Sequence, residues 1–206
     1  MSARVTVVDL GLGNLGSVMQ ALLRAGGEPR LSADAVEIGR SARVVLPGVA
    51  AFGLGMDRAQ RLGLRAALDR ALQRHAPVLG ICLGMQILFE EGEEDGLRQG
   101  LGFLPGRVTR LPAGVQVPHI GWQRLETTAA SPLLAEAAAP WAYFANSYRC
   151  EAPADVTQAV AHHSGVSIAA VVGRGTVHGV QFHPEKSARG GEALLARFLR
   201  LPEAPP

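Results

Sequence analysis

The run Val78-Leu79-Gly80-Ile81-Cys82-Leu83-Gly84-Met85-Gln86 sets a Gly-x-Cys-x-Gly turn between an apolar strand-like segment and an apolar helix-like one. This is the pattern of a nucleophile elbow. A strand-to-helix turn this tight holds its central side chain in a strained conformation, and the flanking glycines remove Cβ atoms that would clash. The thiol would sit at a helix N-terminus, where unpaired backbone N–H groups and the helix dipole favour thiolate. An isolated cysteine is more often a small, inert core residue, so a catalytic reading needs a base, an orienting acid and an oxyanion hole elsewhere in the chain.

The surrounding sequence supplies a sheet for such an elbow. Arg4 to Val8 and Arg43 to Leu46 read as buried strands, with Leu15 to Arg24 an amphipathic helix between them. Met56 to Arg74 reads as helical with a break near Gly63, and Val78 to Ile81 is the strand that feeds the elbow. From Gly106 onward the texture changes to short extended segments, largely antiparallel: Gly106 to Leu111, Val115 to Pro118, Trp141 to Tyr148, Thr157 to His162, Ser167 to Val172 and Val177 to Gln181. Ser131-Pro132 is expected to cap a short helix, and Gly191 to Leu199 a closing one. The prediction is a single α/β domain over residues 1–206, with a mixed, mostly parallel central sheet flanked by helices and added antiparallel strands in the C-terminal half.

Composition narrows the partners. With 20 basic and 18 acidic residues the net charge is only +2, and the basic residues are scattered arginines with Lys186 the one lysine, which argues against nucleic acid. Two cysteines make no disulfide framework, and Met1 to Val5 enters a strand with no signal-like apolar stretch, so the expected compartment is the cytoplasm. The longest mainly apolar run, Ala76 to Phe89, is too short to span a bilayer, so no membrane partner is expected.

His183-Pro184-Glu185 follows the last strand, and in an extended chain residues two apart share a face, so imidazole and carboxylate become neighbours. Proline biases His183 toward an extended backbone. A carboxylate beside an imidazole sets its tautomer and stabilises imidazolium. Alone, the triplet also reads as a capped strand end with a surface ion pair. The order of nucleophile, base and acid differs from that of α/β-hydrolases. Oxyanion donors are expected from the backbone of Leu83 and of the loop Pro47 to Gly53, which leaves a strand at its C-terminal end.

Other motifs carry less. Gly11-Leu12-Gly13-Asn14-Leu15-Gly16 matches the dinucleotide fingerprint in form, but Glu28 and Asp34 are poorly placed for the ribose, and a docking or binding surface is the better reading. His162 and His163 point to opposite faces of a strand, and no zinc spacing exists, so neither a metal nor a cofactor is expected. Cys150 reads as structural, and His75 as a charge at a helix C-terminus.

The elbow Gly80 to Gln86 together with His183-Pro184-Glu185 resembles the class I (triad) glutamine amidotransferases, whose fold is flavodoxin-like. The Asp9-x-Gly-x-Gly-Asn14 start, Pro47-Gly48-Val49, Pro118-His119-Ile120-Gly121-Trp122 and Tyr143 to Tyr148 are similar to one branch, the glutaminase subunits of imidazole glycerol phosphate synthase, over nearly the whole chain. The resemblance implies hydrolysis of L-glutamine through a thioester on Cys82, with His183 as base and Glu185 as its orienting acid. It implies an oxyanion hole from Leu83, Gly48 and Val49. It implies glutamine contacts from Gln86, Glu94, Ser147 and Tyr148. A separate TIM-barrel synthase subunit would form a heterodimer and receive the ammonia, with Asn14, Pro118, His119, Gly121, Trp122 and Tyr143 at the docking face. Three positions depart from the family pattern: Ala50 for the last glycine of the oxyanion loop, Gln123 after Trp122, and Asn146 before Ser147. Two alternatives stand beside this reading: a glutaminase serving another synthase, such as that of pyridoxal phosphate, and a non-catalytic scaffold of the same fold.

Overall fold

The computed structural model describes residues 3–134 and 141–202. In chain order the strands are β1 (Ala3–Val8), β2 (Gly27–Ser32), β3 (Val44–Leu46), β4 (Val78–Ile81), β5 (Phe89–Gly92), β6 (Arg98–Gln99), β7 (Leu104–Arg110), β8 (His119–Arg124), β9 (Glu126–Thr127), β10 (Trp141–Asn146), β11 (Tyr148–Glu151), β12 (Thr157–His163), β13 (Val166–Arg174) and β14 (Val177–Val180). The helices are α1 (Leu15–Arg24), α2 (Ala35–Gly39), α3 (Phe52–Leu62), α4 (Leu64–Gln73), α5 (Leu83–Gln86) and α6 (Ala188–Leu199), with a 3-10 turn at Pro184–Lys186.

Among the described residues the main sheet runs β2-β1-β3-β4-β14-β13-β12-β9, parallel from β2 to β14 and antiparallel beyond. Its first five strands follow the doubly wound order that reverses between β1 and β3, and crevices for ligands form outside the carboxyl ends of such strands. Both faces are buried, and side chains alternate between them. Val5, Val7, Val45, Leu79 and Ile81 pack with Val18, Leu22, Leu195 and Phe198 of α1 and α6. Val8, Val44, Leu46 and Val78 pack with Ile38, Leu64 and Leu68 of α2 and α4. In α6 the buried residues Gly191, Leu194, Leu195, Phe198 and Leu199 recur at the spacing of one helical face. Two smaller sheets, β10-β8 and β11-β7-β5-β6, flank the site.

Several expectations hold, including the break at Gly63, which adopts a left-handed φ of 70° between α3 and α4. Others change. The strand β2 and helix α2 lie where only a connection was expected: Gly-Glu-Pro-Arg-Leu-Ser has no apolar alternation because β2 is a sheet edge, where exposed charges and a proline are tolerated. The segment expected to be extended over Val115 to Pro118 is instead irregular chain leaving a turn that the Val115 amide closes on the Pro112 carbonyl, and the strand starts at His119. Ser147 interrupts the segment expected to run unbroken from Trp141 to Tyr148. Residues 131–134 form a turn in which the Ser131 hydroxyl accepts the Leu133 amide; the rest of the helix expected there lies outside the described residues. Among the described residues no helix is long and apolar enough to cross a membrane.

The elbow is fixed by close backbone packing. A Cβ on Gly84 would stand 1.6 Å from the Leu46 carbonyl oxygen of β3, and one on Gly80 would stand 2.6 Å from the Gly84 oxygen and the Met85 nitrogen. Both obstacles are backbone, so neither can give way as a flexible side chain would. Gly84→Ala is expected to cost at least about 3 kcal/mol, lowering the thermal unfolding midpoint by about 10 °C. Calorimetry of the purified variant checks this.

Candidate active site

Four parallel strands deliver the site residues to one edge. The chain leaves β1 into Asp9 to Asn14, β3 into Pro47 to Ala51, β4 into Cys82, and β14 into Gln181 to His183. Cys82 takes φ 54° and ψ −112°, a conformation costly for any residue with a Cβ, and it directly precedes the first turn of α5. Its amide donates to the Val180 carbonyl of the neighbouring strand at 2.8 Å, and its carbonyl accepts from the Gln86 amide at 3.0 Å, so the strained backbone is tied on both sides.

His183 and Glu185 meet as expected, though by a different local route. His183 is extended, with φ −100° and ψ 97°, but Glu185 lies in the 3-10 turn that starts at Pro184. The turn rather than a continued strand brings Glu185 Oε1 to 2.8 Å from His183 Nδ1, with both side chains at most 4% exposed. Burial opposes the charged imidazole, yet hydrogen bonds to the Cys82 side chain and to Glu185, reinforced by their charges, carry its pKa up to about 9. The His183 backbone is held too: its amide donates to the Tyr143 carbonyl at 2.9 Å, and its carbonyl accepts from the Ser187 hydroxyl, which in turn accepts the Tyr143 amide.

Beside the thiol lies a cavity of about 150 Å³ lined by Val49, Ala50, Cys82, Leu83, Gln86, Glu94, Ala145, Asn146, Ser147 and Tyr148. It brings together residues from four separate segments of sequence. Gln86 is placed by its amide nitrogen, which donates to the Tyr148 carbonyl and to Gln181 Oε1, so its side-chain oxygen is what it can offer a ligand. Glu94 accepts the Phe52 amide at the start of α3 at 2.7 Å. Burial raises its carboxyl pKa, and that hydrogen bond partly offsets the rise. Gly48 is buried against the Leu83 side chain, which a Cβ there would approach to 3.1 Å, and neither Gly48, Val49 nor Ala50 adopts a positive φ. The site can therefore place a thiol, a proton carrier and an acidic group around one small polar cavity.

The other expected residues fall on the surrounding surface. Asn14 is exposed and caps α1, its side-chain oxygen accepting the Ser17 amide, while Asp9 accepts the Gly11 amide in the loop before it. Pro118 and Trp122 are exposed, Gly121 has φ 136°, and Tyr143 meets Trp122 edge-on at 6.0 Å. His119 is the exception: it is fully buried, stacked on His163 at 4.0 Å and on Phe144 at 4.8 Å, so it braces β8 from beneath. Ile120, 61% exposed, is the outward residue that sequence reasoning passed over. Gln181 was also passed over. It is fully buried and touches Cys82, and its place two residues before His183, just past the end of β14, was the available signal. Asn146, noted only as a departure from the family pattern, lines the cavity and donates to the Tyr148 carbonyl at 3.0 Å. Among the described residues no three or more His, Cys, Asp or Glu side chains converge so as to hold a metal ion.

Three histidines set the pH dependence of stability. The raised pKa of His183 means its contribution is complete below about pH 6.5 and is lost as pH rises toward about 9. His119 and His178 are pushed down to about 4, chiefly by burial, so the unfolded chain takes up their protons first and stability falls as pH drops from about 6.5 to about 4. Urea unfolding is expected to give a maximum near pH 6.5, with His183→Gln flattening the alkaline limb and His119→Phe the acid limb. Unchanged limbs in both variants would contradict these environments.

Comparison with known proteins agrees with this geometry. Residues 7–201 match the family described as Glutamine amidotransferase class-I. The chain is 46% identical to the imidazole glycerol phosphate synthase subunit HisH of Symbiobacterium thermophilum over 200 residues, covering 97% of this chain and 94% of that protein. It is 42% identical to the subunit of the same name from Streptococcus sanguinis over 194 residues, covering 93% of each. The solved structure of PurLQS from Thermotoga maritima shares the fold, with a TM-score of 0.78 at 21% identity over 97% of this chain and 98% of that one. The doubly wound sheet, the elbow and the sequence match lead to one assignment: the chain belongs to the class I glutamine amidotransferases.

Proposed function

We propose that the chain is the glutaminase subunit of imidazole glycerol phosphate synthase, acting in histidine biosynthesis in the cytoplasm, with residues 1–206 forming one amidotransferase domain. The observation that carries the reading is a buried imidazole hydrogen-bonded to the Glu185 carboxylate and raised in pKa by the neighbouring Cys82 side chain, beside a cavity lined by Cys82, Gln86 and Glu94. Relatives 40% to 46% identical over most of their length are named as subunits of that synthase, which supports this partner over that of any other amidotransferase branch.

In the proposed cycle L-glutamine enters with its ammonium group toward Glu94 and the side-chain oxygen of Gln86, and its carboxylate toward the Ser147-Tyr148 backbone. Cys82 Sγ attacks the side-chain amide carbon, and its proton passes to His183. The developing oxyanion is met by the backbone N–H groups of Leu83 and the Gly48-Val49 loop; one such donor is worth about 2.7 to 4 kcal/mol in other acyl-transfer enzymes. His183 returns the proton to the departing nitrogen, and ammonia leaves behind a γ-glutamyl thioester. Water then attacks, giving its proton to His183, and the thiolate departs from glutamate. Glu185 holds the imidazole in the tautomer that faces sulfur and stabilises the imidazolium in both halves.

Ammonia freed into neutral water is mostly ammonium and no longer a nucleophile, so it must be handed on under cover. The proposed recipient is a TIM-barrel synthase subunit seated on the face formed by Asn14, Pro118, Gly121, Trp122 and Tyr143. Tyr143 joins that face to the site, because its carbonyl accepts the His183 amide.

The test is glutamate release by the chain with and without the barrel subunit and its ribulose-phosphate ligand. The reading predicts slow hydrolysis alone, strong stimulation in the complex, and a loss of more than about ten-thousand-fold in Cys82→Ala. Equal rates with and without the barrel would contradict the coupling, and activity retained in Cys82→Ala would contradict the thiol chemistry.

A further inference from the structure

Gln181 lies at the end of β14, two residues before His183, and is fully buried. A buried carboxamide is costly unless both its ends are bonded. Here both are. Its oxygen accepts from Gln86 Nε2 at 3.1 Å, and its nitrogen donates to Cys82 Sγ at 3.8 Å. The orientation is forced by Tyr148. Gln86 Nε2 also donates to the Tyr148 carbonyl at 3.3 Å, and a carbonyl can only accept, so Gln86 presents nitrogen to this corner of the site. Gln181 must answer with its oxygen, which leaves its N–H pair for the sulfur.

We propose that Gln181 is a further catalytic residue: a fixed carboxamide donor that holds the Cys82 sulfur in line and stabilises negative charge on it, both before attack and when the thiolate leaves the acylated intermediate. This rests on the reading of Cys82 as the nucleophile. The role is distinct from that of His183. Imidazole trades a proton with sulfur, whereas an amide N–H can stabilise an anion without ever protonating it, and hydrogen bonds to a charged acceptor are about twice as strong as neutral ones. The titratable groups around the sulfur are His183 with Glu185 behind it, Cys150 from β11, and Glu94 on the cavity wall. None of these supplies a permanent donor. The Gln86-Gln181-Cys82 chain also ties a cavity-lining side chain to the sulfur, so the residue that meets glutamine and the residue that attacks it share one support.

The experiment uses the chain in complex with its synthase subunit. Gln181→Leu removes both bonds at similar volume; Gln181→Glu keeps the oxygen for Gln86 and removes the donor. In both, alkylation of Cys82 by iodoacetamide at neutral pH and kcat for glutamine hydrolysis are expected to fall about 10- to 100-fold with circular dichroism unchanged, and in Gln181→Glu, which keeps the support of Gln86, KM is expected to stay within about twofold of wild type. Wild-type alkylation and kcat, or a loss confined to KM, would overturn the proposal. Should the variants not fold, the side-chain amide signal of Gln181 in the nitrogen-15 spectrum of the wild-type chain decides: it is expected to move when Cys82 is alkylated, and an unmoved signal would overturn the role. Cys82→Ala, run in parallel, separates the two levels. Retained hydrolysis there defeats the nucleophile itself, whereas its loss beside unimpaired Gln181 variants defeats only the part assigned to Gln181.

Discussion

The backbone contact between Gly84 and the Leu46 carbonyl governs the rest of the structure. Because α5 begins this close to β3, the chain leaving β4 has room for only one residue between strand and helix, and that residue, Cys82, is forced to φ 54°. A conformation of this kind costs on the order of 1–3 kcal/mol, and it persists because the surrounding packing over-determines it. The buried sheet on either side supplies that packing, with Val44, Leu46 and Val78 facing one core and Leu79 and Ile81 the other. Stability is spent here on the placement of one sulfur atom.

From that fixed point the remaining groups are assembled by the parallel register. Leu46 pairs with Gly80, and Val180 with Ile81, so the residues that follow each strand emerge side by side. The loop after β3 arrives against Leu83, and Gln181 and His183 arrive against Cys82. The histidine is then secured twice, by the Glu185 carboxylate at its ring and by Tyr143 and Ser187 at its backbone. The second attachment ties the site to the strand that carries the proposed docking face, giving a contiguous route by which a bound subunit can act on the imidazole.

How much of this could be read from residues alone depended on whether local chemistry or tertiary pairing decided the outcome. The elbow strand was legible to the residue, because a buried apolar run ended at Gly-x-Cys-x-Gly; so was α1, where Asn14 stands before Val18, Ala21 and Leu22 at helical spacing. The edge strand β2 was not, since its exposed Glu28, Arg30 and Leu31 show no apolar face and only pairing with β1 makes it extended. The start of β8 was misplaced because Val115 to Pro118 is irregular chain leaving a turn, while His119, polar by type, is the buried residue. The candidate site followed the same division. Cys82, His183 and Glu185 carry motifs, and the resemblance supplied Gln86 and Glu94. Gln181 and Ile120 carry no motif of their own: Gln181 is marked only by standing two residues before His183, and its contacts with Gln86 and Cys82 arise only in the fold.

The central claim is that the strained thiol, raised by the elbow and served by His183, becomes acylated by glutamine. Rapid acid quenching of the chain with its synthase subunit during turnover, followed by mass spectrometry of the peptide that contains Cys82, measures this directly. The account predicts a γ-glutamyl adduct on Cys82 that forms only with glutamine and is lost when glutamine is exhausted; a complex that turns over glutamine while its Cys82 never carries the adduct would contradict it.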